Sequence, residues 1–168
     1  LGIFSVPIIF ALYTILQYVN IKNANNYGNI TGGYQCGGII GYASSSGGQY
    51  YLENVNNYGN ISKKYNDQGF GGIVGGLYNS YTVIRNANNY GKIDGYYETG
   101  GIVGTDSSNG RHELYNCANS GVVTGYEYVG GIIGENRGSL LIDNSCNKAD
   151  IKTDKTINDS CYYLGGLS

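Results

Sequence analysis

The side chains that could carry out acid–base chemistry are scattered along the chain. Among its central acids are Asp94, Glu98, Asp106, Glu127 and Glu135. Solenoid enzymes that cleave polysaccharides gather acids and bases in one groove, and these positions do not repeat in that way. His112 is the only histidine, and a lone loop histidine is typically solvated. We therefore predict no catalytic residue, cofactor or metal, and keep as a rival a carbohydrate-active β-helix enzyme acting through Asp94, Glu98 or Asp106.

The cysteines do not form a metal or redox motif. Cys36, Cys117, Cys146 and Cys161 include no C-x-x-C spacing, which argues against zinc-finger, haem-attachment and thioredoxin sites. Cys36 shares a repeat position with Phe70, Val129 and Leu164, so we expect a buried thiol. A disulfide between Cys117 and Cys146, or between Cys146 and Cys161, remains open, because pairing cannot be deduced from sequence.

Tyrosine is the residue type best suited to binding at the surface. Tyr27, Tyr58 and Tyr90 share one repeat position, and other tyrosines crowd the loops. Exposed tyrosine suits sugar stacking and protein contacts, whereas strand formation explains it equally well. Candidate glycosylation sites with the Asn-x-Ser/Thr sequence are Asn29, Asn60 and Asn158.

Two signatures recur along the chain and predict a repeat protein. Gly-Gly-Ile-(Ile/Val)-Gly occupies residues 37–41, 71–75, 100–104 and 130–134, with a degraded copy at 165–168. Asn-x-x-Asn-x-Gly-x-(Ile/Val) has successive starts 31, 32, 30 and 28 residues apart. Its first Asn is Asn23, Asn54, Asn86, Asn116 or Asn144, and its second is Asn26, Asn57, Asn89, Asn119 or Asn147.

Aligned units place like residues in columns. An apolar column lies two residues before the first Asn, and its members are Ile21, Leu52, Ile84, Leu114 and Ile142. Alternating apolar and polar residues indicate strands with one buried face. Stacked units would join the apolar columns into one core and the Asn columns into structural ladders. We predict an all-β parallel β-solenoid over residues 21–168, with about five rungs and three strands per unit.

Residues 1–20 lie outside the repeat and carry no charge. A helix over this segment would be about 30 Å long, near the apolar thickness of a bilayer. Three uses remain open: assembly with copies of itself, a membrane anchor, or a cap on the solenoid. We favour an N-terminal assembly helix, whose contact residues would be Leu1, Ile3, Phe4, Ile8, Ile9, Phe10, Leu12, Ile15 and Leu16.

Composition narrows the function classes. The formal net charge is -2 and the basic residues do not cluster, so nucleic acid is not an expected partner. The chain opens with Leu1 and contains no Met, which we interpret as a processed exported product or a fragment of a longer chain. We therefore expect an extracellular, cell-surface location.

The repeat units resemble the GLUG motif, a Gly-rich repeat of bacterial surface proteins and of non-catalytic regions in secreted peptidases. The resemblance covers residues 21–168 and is carried by strings such as residues 116–125 and 130–134. It implies an exported, solenoid-like interaction or spacer module. In layout, residues 1–20 resemble the apolar N-terminal helix of type IV and archaeal pilins, which implies self-assembly.

These observations favour a non-enzymatic surface protein of a prokaryote, self-assembling as the subunit of a pilus-like filament. Its expected partners are copies of itself and glycans or the surface of a host or neighbouring cell. Residues 1–20 could contact membrane before assembly. The alternatives are a membrane-anchored adhesin and a spacer module of a larger secreted protein.

Overall fold

A computed structural model describes residues 18–107, 110–154 and 164–166 of the chain. Regular structure in these residues is entirely β-strand, in a cycle that recurs once per repeat unit. The first strands are β1 (Tyr18–Lys22), β2 (Asn25–Asn26), β3 (Ile30–Gly32), β4 (Cys36–Gly37), β5 (Ile40–Glu53), β6 (Asn56–Asn57), β7 (Ile61–Lys63), β8 (Gln68–Gly71), β9 (Val74–Arg85), β10 (Asn88–Asn89) and β11 (Ile93–Asp94). The later strands are β12 (Tyr97–Gly100), β13 (Val103–Asp106), β14 (Arg111–Tyr115), β15 (Ala118–Asn119), β16 (Val123–Gly125), β17 (Glu127–Gly130), β18 (Ile133–Asn136), β19 (Ser139–Asp143), β20 (Cys146–Asn147), β21 (Ile151–Thr153) and β22 (Leu164–Gly165).

The strands stack into four parallel sheets, which we name A to D. Sheet A contains β1, β5, β9, β13, β14, β18 and β19, and sheet B contains β2, β6, β10, β15 and β20. Sheet C contains β3, β7, β11, β16 and β21, and sheet D contains β4, β8, β12, β17 and β22. The predicted all-β parallel solenoid is confirmed. Sheets B, C and D each have five strands, and the described residues complete about four turns.

The number of strands per unit differs from the prediction. The sequence predicts three, with Gly-Gly-Ile-(Ile/Val)-Gly as one strand, whereas each unit contributes to four sheets. This string contains a bend: Gly71 ends β8 in sheet D, and Val74 begins β9 in sheet A. A Cβ on Gly71 would overlap the carbonyl oxygen of Val74. The bend is therefore too tight for any side chain at that position.

The predicted apolar column is confirmed in register. Ile21 lies opposite Leu52, Leu52 opposite Ile84, and Leu114 between Ile84 and Ile142. Leu52, Ile84 and Leu114 are at most 1% exposed, and each buried aliphatic side chain contributes about 1.5–3 kcal/mol. They belong to one hydrophobic cluster, and a second forms between sheets C and D around Phe70.

The first Asn of each unit turns the chain from sheet A towards sheet B. All five of these residues have φ between 46° and 55°, a left-handed conformation that Asn tolerates better than most residues. Their side-chain amides form a ladder in which the Nδ2 atoms of the last four each donate to the Oδ1 of the preceding unit at 2.6–3.2 Å. The outer Asn ladder is thus both a turn former and a cross-rung contact.

The second Asn of each unit forms a ladder inside the protein. Asn57, Asn89 and Asn119 are fully buried. Each of their Nδ2 atoms donates to the Oδ1 of the following unit at 2.7–2.8 Å, and to the carbonyl oxygen two residues on at 2.8–2.9 Å. A shorter ladder that the sequence did not predict joins Asn25, Asn56 and Asn88 at 2.9 Å.

The two sequence signatures recur together because they pack against each other. A Cβ on Gly72 would overlap the side chain of Asn89, and a Cβ on Gly101 would overlap that of Asn119. The second Gly of the Gly-Gly pair therefore provides the space that the inner Asn occupies.

The prediction that the N-terminal helix extends over residues 18–20 is wrong. Residues 18–20 lie in β1 and pair with β5, and no helix occurs in the described residues. The more exposed Tyr18, Asn20 and Lys22 alternate with Val19 and Ile21, as expected for a strand with one buried face. All the predicted assembly residues fall in 1–17, outside the described residues.

Candidate functional site

A patch of aromatic and charged side chains lies on the outside of sheet A. We call it the outer face. It consists of the residues of β1, β5, β9, β14 and β19 that alternate with the buried apolar column. Its members are Tyr18, Asn20, Lys22, Gln49, Tyr51, Glu53, Tyr81, Val83, Arg85, Arg111, Glu113, Tyr115, Ser139, Leu141 and Asp143.

Glu113 organises one half of the outer face. Its carboxylate accepts a hydrogen bond from the Tyr115 hydroxyl at 3.0 Å and pairs with Arg111 at 2.9 Å. The hydrogen bond raises the pKa of Tyr115, and burial together with Glu113 raises the pKa of Tyr81. Both phenols therefore stay neutral at physiological pH.

The other half of the outer face carries paired charges. Lys22 lies 2.8 Å from Glu53, and Arg85 lies over the Tyr115 ring at 4.3 Å from its centre. The hydrogen bond between Lys22 and Glu53 raises the pKa of the lysine and lowers that of the glutamate. Such exposed pairs add little stability. Alternating signs on successive rungs instead favour the observed register.

A shallow depression on this face is lined by Tyr18, Tyr51, Glu53 and Arg85 among others, and its volume is about 210 Å³. Pockets for drug-sized ligands are typically larger, at about 300–1,000 Å³. The outer face is therefore better suited to an extended contact with a polymer or a protein than to a small molecule.

The tyrosine column predicted from the sequence lies on the surface. The rings of Tyr27, Tyr58 and Tyr90 stack at 4.9 Å with interplanar angles of 5° and 8°. Each ring covers the face of its neighbour, so the stack presents mainly edges and hydroxyl groups. Sugar stacking requires a free ring face, and this column is therefore a weaker sugar platform than its exposure suggests.

A recurring backbone feature lies two residues before each Gly-Gly pair. Gln35, Gly69, Glu98 and Tyr128 all have φ between 54° and 81°. Pairing between β8 and β12 joins Gln68 to Tyr97 and Phe70 to Thr99 and skips the residues between. From this position the side chain of Gln35 reaches sheet A of the next turn, because a Cβ on Gly76 would overlap Oε1 of Gln35. We call this contact between sheets D and A the D–A crevice.

Two carboxyl groups meet in the D–A crevice. Glu98 is 5% exposed and hydrogen-bonds both Glu135 and Thr105. Arg137 pairs with the second carboxylate, at 2.9 Å from Glu135 Oε1. Burial, together with the charge and hydrogen bond of Glu135, raises the pKa of Glu98 to about 7. The two carboxyl groups therefore share a proton below neutral pH.

We expect this pair to make the fold less stable as pH rises. The folded protein keeps a proton on Glu98 up to a pKa of about 7, whereas the unfolded chain releases it near the ordinary value of 4.5. Because the folded state binds the extra proton, stability is fully present below about pH 4.5 and declines until about pH 7. Thermal unfolding followed by circular dichroism at about pH 5 and about pH 8 should show a drop of several degrees.

Replacing the titrating group should flatten this dependence. Glu98→Gln removes the proton exchange and is expected to lose less melting temperature between the two pH values than the wild type. Glu53→Gln, which changes an exposed acid, serves as the control and should keep the wild-type dependence. An unchanged dependence in Glu98→Gln would contradict the assignment.

The acids of the rival enzyme hypothesis do not meet in one groove. Asp94 pairs with Lys63 at 2.8 Å on the outside of sheet C, Glu98 lies in the D–A crevice, and Asp106 is fully buried. Glycosidases separate their two carboxyl groups by about 5–10 Å to leave room for the sugar or a water. The hydrogen-bonded carboxyl groups of Glu98 and Glu135 leave no such space.

The expectation that His112 is solvated is wrong. Its side chain is fully buried, with Nε2 at 3.4 Å from Oδ1 of Asp106. His112 lies between Thr82 and Leu140 in sheet A. It therefore points inward like Leu114, two residues further along β14.

The thiols agree in part with the sequence prediction. Cys36 is 9% exposed and contacts the cluster of Phe70, as expected. Cys117 and Cys146 are free thiols, and the backbone register places Cys146 opposite Ala118. Burial raises the pKa of Cys117 to about 11, so it stays protonated. Cys161 lies outside the described residues, and its pairing with Cys146 stays a prediction.

The candidate glycosylation sites Asn29 and Asn60, directly before β3 and β7 of sheet C, are exposed. Asn29 and Asn60 each accept a hydrogen bond at 2.9 Å from the backbone N–H one rung on, at Asn60 and Lys92. This bond uses Oδ1 and not the nitrogen that would carry a glycan. Neighbouring rungs lie only about 4.8 Å apart, so two glycans side by side would crowd each other. Asn158 lies outside the described residues.

Comparisons with known proteins add no assignment. No protein-family model matches this chain, and neither a curated protein nor a solved structure is significantly similar to it. Within the described ranges, no helix combines the length and the apolar character needed to cross a bilayer.

Proposed function

We propose that this protein is a non-enzymatic structural and adhesive module of a prokaryotic cell surface, and that its outer face makes the adhesive contacts. The observation that carries the proposal is the continuous register of β1, β5, β9, β14 and β19 across the outer face, which holds tyrosine and charged side chains on one side of sheet A. Tyrosine and arginine are enriched where proteins bind other molecules.

The charges of the outer face favour short-range contact with a partner and do not attract a charged partner from a distance. Lys22, Arg85 and Arg111 are balanced by Glu53, Glu113 and Asp143. A surface without net charge does not steer an oppositely charged partner from a distance. Binding would depend on tyrosine packing and short-range hydrogen bonds, which suits glycans and copies of the protein itself.

Assembly into a pilus-like filament is the more specific form of this proposal. It rests on the apolar N-terminal segment, reduced to residues 1–17 because residues 18–20 belong to β1. A filament would place outer faces side by side along its surface, and repeated weak contacts raise the overall strength of adhesion.

The full chain tests assembly and adhesion separately. Electron microscopy and sedimentation of the purified protein should show filaments, and deletion of residues 1–17 should abolish them while circular dichroism still reports β-structure. Filaments that persist after the deletion, or a wild type that never assembles, would refute the filament form.

Adhesion is tested by binding to immobilised polysaccharides and to an immobilised second copy. We expect Tyr51→Ser combined with Tyr81→Ser to weaken binding at least about tenfold, because hot-spot tyrosines each contribute about 1–2 kcal/mol or more. Tyr34→Ser, at an exposed tyrosine outside the outer face, is the control. Equal binding by both variants would sink the role of the outer face, and polysaccharide cleavage lost in Glu98→Gln would favour an enzyme instead.

A further inference from the structure

The residues of the outer face form three columns that run along the axis of the solenoid. The columns begin in β1 with Tyr18, Asn20 and Lys22 and continue through the residues that pair with them in β5 and β9. The ring of Tyr51, in the middle column, lies 5.1 Å from that of Tyr18 and 6.1 Å from that of Tyr81, measured between ring centres. Both partners belong to the first column, so Tyr51 leans towards that column and away from the charged one.

The depression of about 210 Å³ lies between these tyrosines and the charged column. Side chains that line it include Tyr18, Asn20, Lys22, Tyr51, Glu53 and Arg85. Ring surfaces combined with a small number of polar groups are typical of ligand sites. The volume is below that of pockets for drug-sized ligands, so the depression suits one ring of a larger polymer, such as a single sugar unit.

The charged side chains of the depression leave one positive charge in excess. Lys22 and Arg85 are cationic, and Glu53 lies between them in the same column. Lys22 pairs with Glu53 at 2.8 Å, whereas Arg85 forms no ion pair among the described residues. The outer face as a whole is balanced, and salt screens exposed charges, so the excess acts on an anion that enters the depression.

Arg85 is held in a position from which it can bind such an anion. Its guanidinium carbon lies over the Tyr115 ring, 4.3 Å from the ring centre. A guanidinium in contact with a ring face still directs N–H groups outward from its edge, because its five donors lie in the plane of the group. Two of these donors match the two oxygen atoms of a carboxylate. The contact with Tyr115 also restricts the side chain beforehand, which lowers the entropy lost on binding.

We propose that the depression binds an acidic sugar, a pyranose that carries a carboxylate, as one unit of an acidic polysaccharide. Arg85 binds the carboxylate through two N–H groups, and Tyr18 and Tyr51 pack against the sugar ring. The side-chain amide of Asn20 hydrogen-bonds a hydroxyl group of the sugar. Such a carboxylate is ionised at neutral pH, and its charge offsets the excess of the depression. This inference rests on the proposed adhesive role of the outer face and names its ligand.

Binding of the full chain to immobilised polygalacturonate, a polymer of acidic sugars, tests the ligand class. The matched control is the fully methyl-esterified polymer, which keeps the sugar backbone and loses the charge. We expect polygalacturonate to bind at least about tenfold more tightly, because hydrogen bonds to a charged group are the stronger ones. Dextran sulfate controls for negative charge alone, and binding of dextran sulfate as tight as that of polygalacturonate would overturn the inference.

Variants decide whether Arg85 makes the contact. Arg85→Gln should weaken binding to polygalacturonate at least about tenfold, since it removes the charged donor of the pair. Arg85→Lys keeps the charge but cannot form two parallel bonds, and should recover only part of the loss. Lys92→Gln removes one positive charge from an exposed side chain in another sheet and should bind like the wild type. Undiminished binding by Arg85→Gln, or equal losses in Arg85→Gln and Lys92→Gln, would overturn the inference.

Failure of this inference and failure of the adhesive role give different results. If polygalacturonate and its ester bind equally well, or neither binds, the acidic sugar is refuted. The adhesive role is then still tested by binding of an immobilised second copy to the wild type and to the variant with Tyr51→Ser and Tyr81→Ser. If that variant binds every partner as the wild type does, the adhesive role and the sugar site are both refuted.

Discussion

Replacing Asn89 by alanine is expected to lower the free energy of unfolding by about 4 kcal/mol. Asn89 is fully buried, and its Nδ2 donates to the carbonyl oxygen of Gly91 at 2.9 Å and to Oδ1 of Asn119 at 2.8 Å. Its Oδ1 accepts from Asn57 at 2.8 Å. The substitution breaks all three bonds and leaves a buried backbone carbonyl without a donor, and each such loss costs about 1–3 kcal/mol. Urea unfolding of wild type and variant measures the difference.

Asn88→Ala is the matched control for this substitution. Asn88 belongs to the short ladder on the outside of the same corner, and its Nδ2 donates one hydrogen bond, to Oδ1 of Asn56 at 2.9 Å. The next unit already carries Ala118 at this position. We expect a loss of about 0.5–1.5 kcal/mol. Equal losses for the two variants would show that burial of the inner ladder is unimportant.

The main columns of the fold could be predicted because five copies of a weak pattern reinforce one another. A single unit such as residues 52–61 has too few apolar residues to identify a strand. Alignment on the first Asn places Leu52, Ile84 and Leu114 at one position, and all three are buried in register. Stacking in a parallel solenoid makes each aligned column a physical neighbourhood.

The inward direction of the His112 side chain could have been predicted from the repeat pattern. Its column contains Tyr50, Thr82 and Leu140, and it alternates with the column of Arg111 on the outside. The period of two alone predicts an inward side chain. Its proximity to the variable loop obscured that pattern, since insertions there shift the apparent spacing between units.

The D–A crevice could not be predicted in the same way. Its position carries Gln35, Gly69, Glu98 and Tyr128 in successive units, which share neither charge, size nor polarity. What they share is a left-handed backbone that the sheet geometry imposes. The paired strands on both sides fix the backbone conformation at this position, whatever residue occupies it. No residue type in the sequence therefore identifies the crevice.

Residue type varies from unit to unit in the crevice but is uniform at the corners, because the side chains at the two places have different partners. At the corners, identical Asn side chains hydrogen-bond each other from rung to rung, so a change in one unit leaves its neighbours without partners. In the crevice, Gln35 and Glu98 reach across to the other sheet and do not need a counterpart in the next unit. A cluster such as Glu98 with Glu135 can therefore arise in one turn without disturbing the repeat.

Gly91→Ala is expected to destabilise the protein by about 3 kcal/mol. A Cβ at this position would overlap the carbonyl oxygen of Gly59 in the preceding rung. Gly91 lies in a central rung, packed between Gly59 and Gly121, so its backbone cannot move away from one neighbour without pressing on the other. Its φ lies outside the left-handed region, which makes the expected loss one of space and not of backbone conformation. Urea unfolding measures it, and an unchanged midpoint would contradict the packing.

Gly28→Ala separates the packing effect from the general effect of replacing glycine. Gly28 occupies the same column, but among the described residues a Cβ there would meet only Oδ1 of Asn26, at an ordinary 3.7 Å. Alanine should therefore be neutral or stabilise by about 0.4–1 kcal/mol, because it reduces the entropy of the unfolded chain. Ala149 occupies this column in the last described rung and fits this account. The distance from its backbone nitrogen to Oδ1 of Asn147 is 3.4 Å, whereas the same distance between Gly121 and Asn119 is 3.2 Å. Within the described residues the first and last rungs are packed on one side only, and such a rung can shift to accept the methyl group, whereas a rung packed on both sides cannot. Equal losses for Gly28→Ala and Gly91→Ala would refute that distinction.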